Sequence, residues 1–111
     1  MFWYGSTLLW TMLTSDRVWA ALPHSDEGYS QKVFWWSLDY SIEQEPVPTL
    51  VVTVRQLDDG AATLITSKAT NGHGDIGPAM LVSVVLPTPG CWGITGSYRG
   101  SERSFVVQVR P

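Results

Sequence analysis

Period-two alternation in the last third of the chain is the feature that most restricts the fold. Met80, Val82, Val84 and Leu86 share one face of a first segment, Trp92, Ile94 and Tyr98 one face of a second, and Phe105, Val107 and Val109 one face of a third. The intervening positions are more mixed: Leu81, Ser83 and Val85, then Cys91, Gly93, Thr95 and Ser97, then Ser104, Val106 and Gln108. Successive side chains on a strand point to opposite faces, so these runs predict a half-buried antiparallel sheet. Pro87 and Pro89 lack the N–H that would extend a ladder, and Gly90 can take a positive φ, so the chain turns between the first two runs. Arg99 to Arg103 is polar and carries Gly100, which suits a hairpin between the last two.

The earlier chain reads the same way. Residues 2 to 13 are apolar, broken early by Gly5, Ser6 and Thr7, and the alternation of Leu8, Trp10 and Met12 with Leu9, Thr11 and Leu13 predicts a strand; a helix across residues 6 to 22 is the alternative, because Leu9, Met12 and Leu13 also fit helical spacing. Thr14 to Arg17 is a turn, Val18 to Leu22 a short strand or helical turn, and Pro23 to Ser30 a polar loop. Lys32 to Tyr40 is a strand with Phe34, Trp36, Leu38 and Tyr40 on one face and Val33, Trp35, Ser37 and Asp39 on the other. Trp36 is the expected buried tryptophan. Ser41 to Thr49, with Pro46 and Pro48, is a connection. Leu50 to Leu57 is a strand with Leu50, Val52 and Val54 on one face, and Asp58-Asp59-Gly60 predicts a hairpin to a short strand over Ala62 to Thr66. Ser67 to Ala79 is a Gly-rich loop. About seven strands result, and at 111 residues they fit one β-sandwich domain over residues 1–111.

A resemblance sharpens this expectation. The corner Leu86-Pro87-Thr88-Pro89-Gly90-Cys91-Trp92, continuing through Ile94-Thr95-Gly96 to Ser104-Phe105-Val106-Val107, resembles the ending of a group of uncharacterised bacterial extracytoplasmic proteins and lipoproteins. The opening, Trp3-Tyr4-Gly5 with Leu9-Trp10 and Val18-Trp19, is similar as well. More broadly, the closing hairpin is similar to that of small immunoglobulin-like sandwiches, including periplasmic copper-resistance-type domains. The resemblance implies an immunoglobulin-like antiparallel fold and an address in the cell envelope or outside the cell; it carries no activity. The group has an acidic residue after the tryptophan where this chain has Gly93.

Composition narrows the partners. Seven Lys and Arg against ten Asp and Glu give a net charge of −3, and no basic patch is visible, which argues against a nucleic-acid or anionic-membrane partner. No run of about 18 apolar residues marks a transmembrane helix, and Met1-Phe2-Trp3-Tyr4 has neither the basic start nor the cleavage site of a signal peptide. A signal or anchor is thus not expected within this chain. One cysteine allows no internal disulfide. Six tryptophans are an unusual share, and such rings serve both cores and interfaces.

Catalytic and cofactor motifs do not emerge. Gly72-His73-Gly74-Asp75-Ile76-Gly77 matches the dinucleotide-binding spacing, yet Pro78 and an alternating β-run follow where a helix must begin. A blue-copper site needs a His and Met soon after the Cys, and Cys91 has neither. His24 and His73 could meet only through folding, with Asp26 or Asp75, to make a metal site. Cys91 has no basic neighbour to activate it and reads as packing. Glu43 and Glu45 read as solvated charge in a loop. No metal, cofactor or catalytic set is therefore expected. The expectation is a non-catalytic binding or structural module with a protein partner. Alternatives are a carbohydrate or small-molecule binder stacking on Trp3, Trp19 or Trp35, and, third, a metal- or thiol-dependent protein built on His24, His73, Asp75 or Cys91.

Overall fold

The computed structural model describes residues 2–58, 64–71 and 79–111. Among these there are eleven strands and no helix: β1 (Phe2–Ser6), β2 (Leu9–Leu13), β3 (Val18–Ala20), β4 (His24–Ser25), β5 (Gly28–Trp36), β6 (Val51–Gln56), β7 (Leu64–Lys68), β8 (Thr70–Asn71), β9 (Met80–Leu86), β10 (Gly90–Tyr98) and β11 (Ser101–Arg110). They form two packed sheets. The first runs β1-β2-β5-β9-β8 with β4 also on β5, and the second runs β3-β11-β10-β6-β7. Every pairing is antiparallel except that of β3 with β11. Because β9 takes β5 from Tyr29 to Trp35, β2 and β4 share its other edge, at Trp35–Trp36 and Gly28–Tyr29 respectively.

The C-terminal alternation is realised side chain by side chain. Met80, Val82, Val84, Leu86, Trp92, Ile94, Tyr98, Phe105, Val107 and Val109 are all buried in one core with Leu9, Leu13, Val33, Trp35, Val52 and Val54. At the corner between β9 and β10 the Trp92 indole N–H donates to the Thr88 carbonyl at 2.9 Å. The Asp58 carboxylate accepts the Cys91 amide at 2.7 Å, so the end of β6 is tied to the start of β10.

The first half departs from expectation in instructive ways. The strand expected from the Leu8–Leu13 alternation is β2, and the residues before the Gly5–Thr7 break add β1 as its hairpin partner in place of the alternative helix. Ser6 Oγ accepts the Leu8 amide at 3.3 Å in the turn, and Gly5 sits at φ 129°, a value side-chain-bearing residues rarely adopt. Leu9, Thr11 and Leu13 face inward, and satisfying that period-two face fixes strand over helix. The loop expected over Pro23 to Ser30 contains β4 and the start of β5, turned by Ser25 Oγ accepting the Glu27 amide at 3.2 Å. Conversely β5 ends at Trp36, because Ser37 caps a turn through its carbonyl to the Tyr40 amide at 3.2 Å and its Oγ to the Asp39 amide at 3.1 Å.

Within β5 the expected buried face is inverted: Val33 and Trp35 are inside at 5% and 0% exposure, and Trp36 faces outward. Both faces of this strand are apolar, so alternation alone left the choice open, and the register with β9, Val33 opposite the buried Val82, decides it. The partner of β6 lies at Leu64–Lys68, two residues later than expected, and Thr70–Asn71 makes β8 within the expected loop. Asp59 and Gly60 of the anticipated turn lie outside the described residues, as does the Gly72–Gly77 motif.

Candidate functional site

On the outer face of the first sheet the hairpin β1–β2 meets β5 in a register that gathers tryptophans. Gly5 lies opposite Trp10, Trp3 opposite Met12, and Trp10 opposite Trp36. Cross-strand partners share a face, so three indoles converge. The Trp3 ring stands edge-on to both others, 6.3 Å from Trp10 at 70° and 5.1 Å from Trp36 at 78°. Phe34 extends the cluster, 6.4 Å from Trp36. Edge-to-face pairs of this kind contribute about 0.5–1.5 kcal/mol each beyond area burial. Trp3 nonetheless remains 60% exposed.

Beside Trp3 opens a shallow cleft of about 480 Å³ lined by Trp3, Gly5, Ser6, Thr7 and Trp10. Gly5 lets β1 lie close against β2 beside the cleft: a Cβ there would collide with the Leu9 carbonyl oxygen and come within 2.8 Å of the Trp10 Cα. Residues 2–13 contain no charged side chain. Two cations flank the face: Lys32, which lines a groove with Met12, Phe34 and Trp36, and Arg17, whose guanidinium lies 5.9 Å from the Phe2 ring centre. The face offers apolar area and ring edges, with the Ser6 and Thr7 hydroxyls on the cleft wall.

The other sequence candidates lie elsewhere. Trp35 is fully buried, 6.0 Å from the Phe105 ring, and Trp19 is 7% exposed, 6.3 Å from the same ring. Neither presents a stacking surface, which corrects their candidacy and leaves Trp3 of the three. His73 and Asp75 lie outside the described residues. His24 is exposed on β4, 4.5 Å from the Tyr29 ring. Among the described residues no three His, Cys, Asp or Glu side chains gather as a metal set, and no helix is long and apolar enough to cross a membrane.

Two further features flank the second sheet. Thr53, Arg55, Leu57, Gly93 and Thr95 line an outer groove of about 440 Å³, and Cys91 is half-exposed on that same face. Burial first, then the Asp58 carboxylate, pushes its thiol pKa up, which suppresses the reactive thiolate. At the far end Glu45 is pinned, not solvated as expected: it accepts from the Tyr98 hydroxyl at 2.9 Å and from Arg99 at 3.1 Å. Burial would raise the Glu45 carboxyl, but these two donors outweigh it and hold it below its ordinary value. Tyr98 is pushed up to about 12 by burial and by the Glu45 carboxylate.

Sequence reading missed Trp10 and Phe34 as surface residues and placed Trp36 in the core. The available signal was the turn chemistry of Gly5-Ser6-Thr7, which folds residues 2–13 into a hairpin and puts Trp3 and Trp10 on one face. None of the family models, curated proteins or solved structures compared with the chain matches it.

Proposed function

We propose that this chain is a non-catalytic binding module that docks a protein partner on the Trp3, Trp10 and Trp36 face of its first sheet. The observation that carries the reading is the 60% exposure of Trp3 within an aromatic cluster. Trp is enriched at interface centres because a rigid, large ring gains much area for little entropy. The perpendicular rings, at 70° and 78°, make a cleft with raised edges, which favours an inserted side chain over the flat stacking that a sugar ring needs. A glycan laid on the open face of Trp3 is the second reading, favoured by that exposure alone.

The scaffold reading goes with it. The order β2-β5-β9-β8 facing β3-β11-β10-β6-β7 supports an immunoglobulin-like topology of the variable kind, with β2, β5, β9 and β8 as strands A, B, E and D, and β11, β10, β6 and β7 as G, F, C and C′. The corner resemblance at Pro87–Trp92 supports a place in the bacterial envelope or outside the cell, the setting in which such a module mediates contacts between proteins.

The test is a photo-activatable residue at Thr7, on the cleft rim, in the source cell. The reading predicts a discrete protein adduct that disappears when Trp3→Ala is added. A tryptophan fluorescence response to a glycan panel, with no protein adduct, transfers the function to the second reading.

A further inference from the structure

We propose that the protein partner is a second copy of the same chain, joined edge to edge through β1 so that Trp3, at the rim of the aromatic face, is covered; the inference rests on the protein-docking reading above. β1 ends the first sheet, and its outer edge pairs with no strand among the described residues. Such an edge presents unpaired N–H and C=O groups that recruit another strand unless charge, proline or a bulge blunts it. Phe2-Trp3-Tyr4-Gly5-Ser6 contains no charge and no proline. The edge strand β7 by contrast carries Lys68.

The sequence of β1 also fits itself. In an antiparallel pair with its two-fold axis at Tyr4, Trp3 of one copy lies opposite Gly5 of the other, and Phe2 opposite Ser6. On the outer face, beside the cleft, each Trp3 ring meets a glycine; on the other face, the one shared with Leu9 and Leu13, each Phe2 ring meets the small Ser6. The arrangement is isologous and closes at two copies. Charge permits it as well: although the chain carries −3 overall, residues 2–13 are uncharged, so the paired strands bring no like charges together.

Size sets the strength. The contact covers Trp3, Phe2 and the facing backbone of one five-residue strand, well short of the ~800 Å² per partner of a standard interface. The dimer is therefore weak and dynamic, and is sought at chain concentrations from about 10 μM to 1 mM, the weak-binding range.

Sedimentation equilibrium of the purified chain across that range, with amide hydrogen exchange at both ends, tests it. The expected result is a mass rising toward twice that of the monomer, with protection of the Phe2–Ser6 amides growing in step. Trp3→Lys is expected to weaken association at least tenfold, and Leu57→Lys, on the opposite sheet, to leave it unchanged; circular dichroism checks that both variants fold. A monomer throughout, or a dimer that ignores Trp3→Lys or leaves the β1 amides unprotected, overturns the proposal. A monomer accompanied by a Thr7 adduct to a different protein refutes the second copy while retaining the docking reading, and a monomer with no adduct refutes both.

Discussion

The Trp35 indole of β5 lies directly over Gly96 of β10, so closely that a Cβ at position 96 would stand 2.7 Å from the ring. This contact locks the two sheets together, because Trp35 is fully buried and its ring spans the gap between them. Gly96→Ala forces the ring or the strand to shift, and overpacking of this kind costs about 1–3 kcal/mol. Urea unfolding of the variant checks it: a lowered midpoint with unchanged slope is expected.

Asp58 is expected to act as a side-chain clasp between β6 and β10. Its carboxylate takes the Cys91 amide, a donor just past the Pro87–Gly90 corner. Asp58→Ala removes a hydrogen bond to a charged group, discounted for exposure to about 1 kcal/mol. Chemical denaturation reads the loss, and amide exchange locates it at Cys91.

The Glu45–Tyr98 pair makes stability depend on pH at both extremes. Glu45 has a lowered pKa in the folded chain, so its contribution is present above the ordinary carboxylate value and is lost as pH falls through the folded value. The stability advantage of the wild type over Glu45→Gln is therefore expected to shrink on acidification. Tyr98, raised from 10.0 to about 12, contributes stability that is complete below pH 10 and is lost as pH rises toward 12. Tyrosinate absorbance of the folded protein is expected to show a late step near pH 12 that Tyr98→Phe removes.

Cys91 is expected to be a slow thiol. With its pKa raised by burial and by Asp58, less thiolate is present at neutral pH. Iodoacetamide should label it more slowly than a free cysteine in the unfolded chain, and Asp58→Asn should speed the reaction.

How far the sequence foretold this structure differs by region, for a physical reason. The strands from Met80 to Val109 have one strongly apolar face and one mixed face, so the period-two pattern sufficed to choose their core side chains. In β5, Phe34 and Trp36 compete with Val33 and Trp35 for the inside. That choice rests on pairing with β9, which is a property of distant residues. Residues 2–13 were ambiguous because apolar side chains occupy both faces of β2. The outward set, Trp10 and Met12, is retained there as an aromatic surface and so carries no polar mark of exposure. That same circumstance hid the candidate site: a surface built from core-like residues reads as core until the hairpin register is known. Glu45 escaped because its partners, Tyr98 and Arg99, lie more than fifty positions away in the chain.

Trp3→Ala separates the site from the scaffold. The ring is 60% exposed and its two edge contacts are worth about 0.5–1.5 kcal/mol each. The variant is expected to unfold about 1–3 kcal/mol below the wild type while losing the partner contact, whereas Trp35→Ala is expected to cost about 3–5 kcal/mol. Thermal unfolding set beside Thr7 photo-crosslinking yields both quantities.

The most direct measurement is hydroxyl-radical footprinting of the aromatic face, comparing the purified, dilute chain with the chain in its source cell. The account predicts that Trp3, Trp10 and Trp36 are oxidised in the first sample and protected in the second, while exposed Leu57 and Val106 on the opposite sheet react equally in both. Equal oxidation of Trp3, Trp10 and Trp36 in the two samples would contradict it.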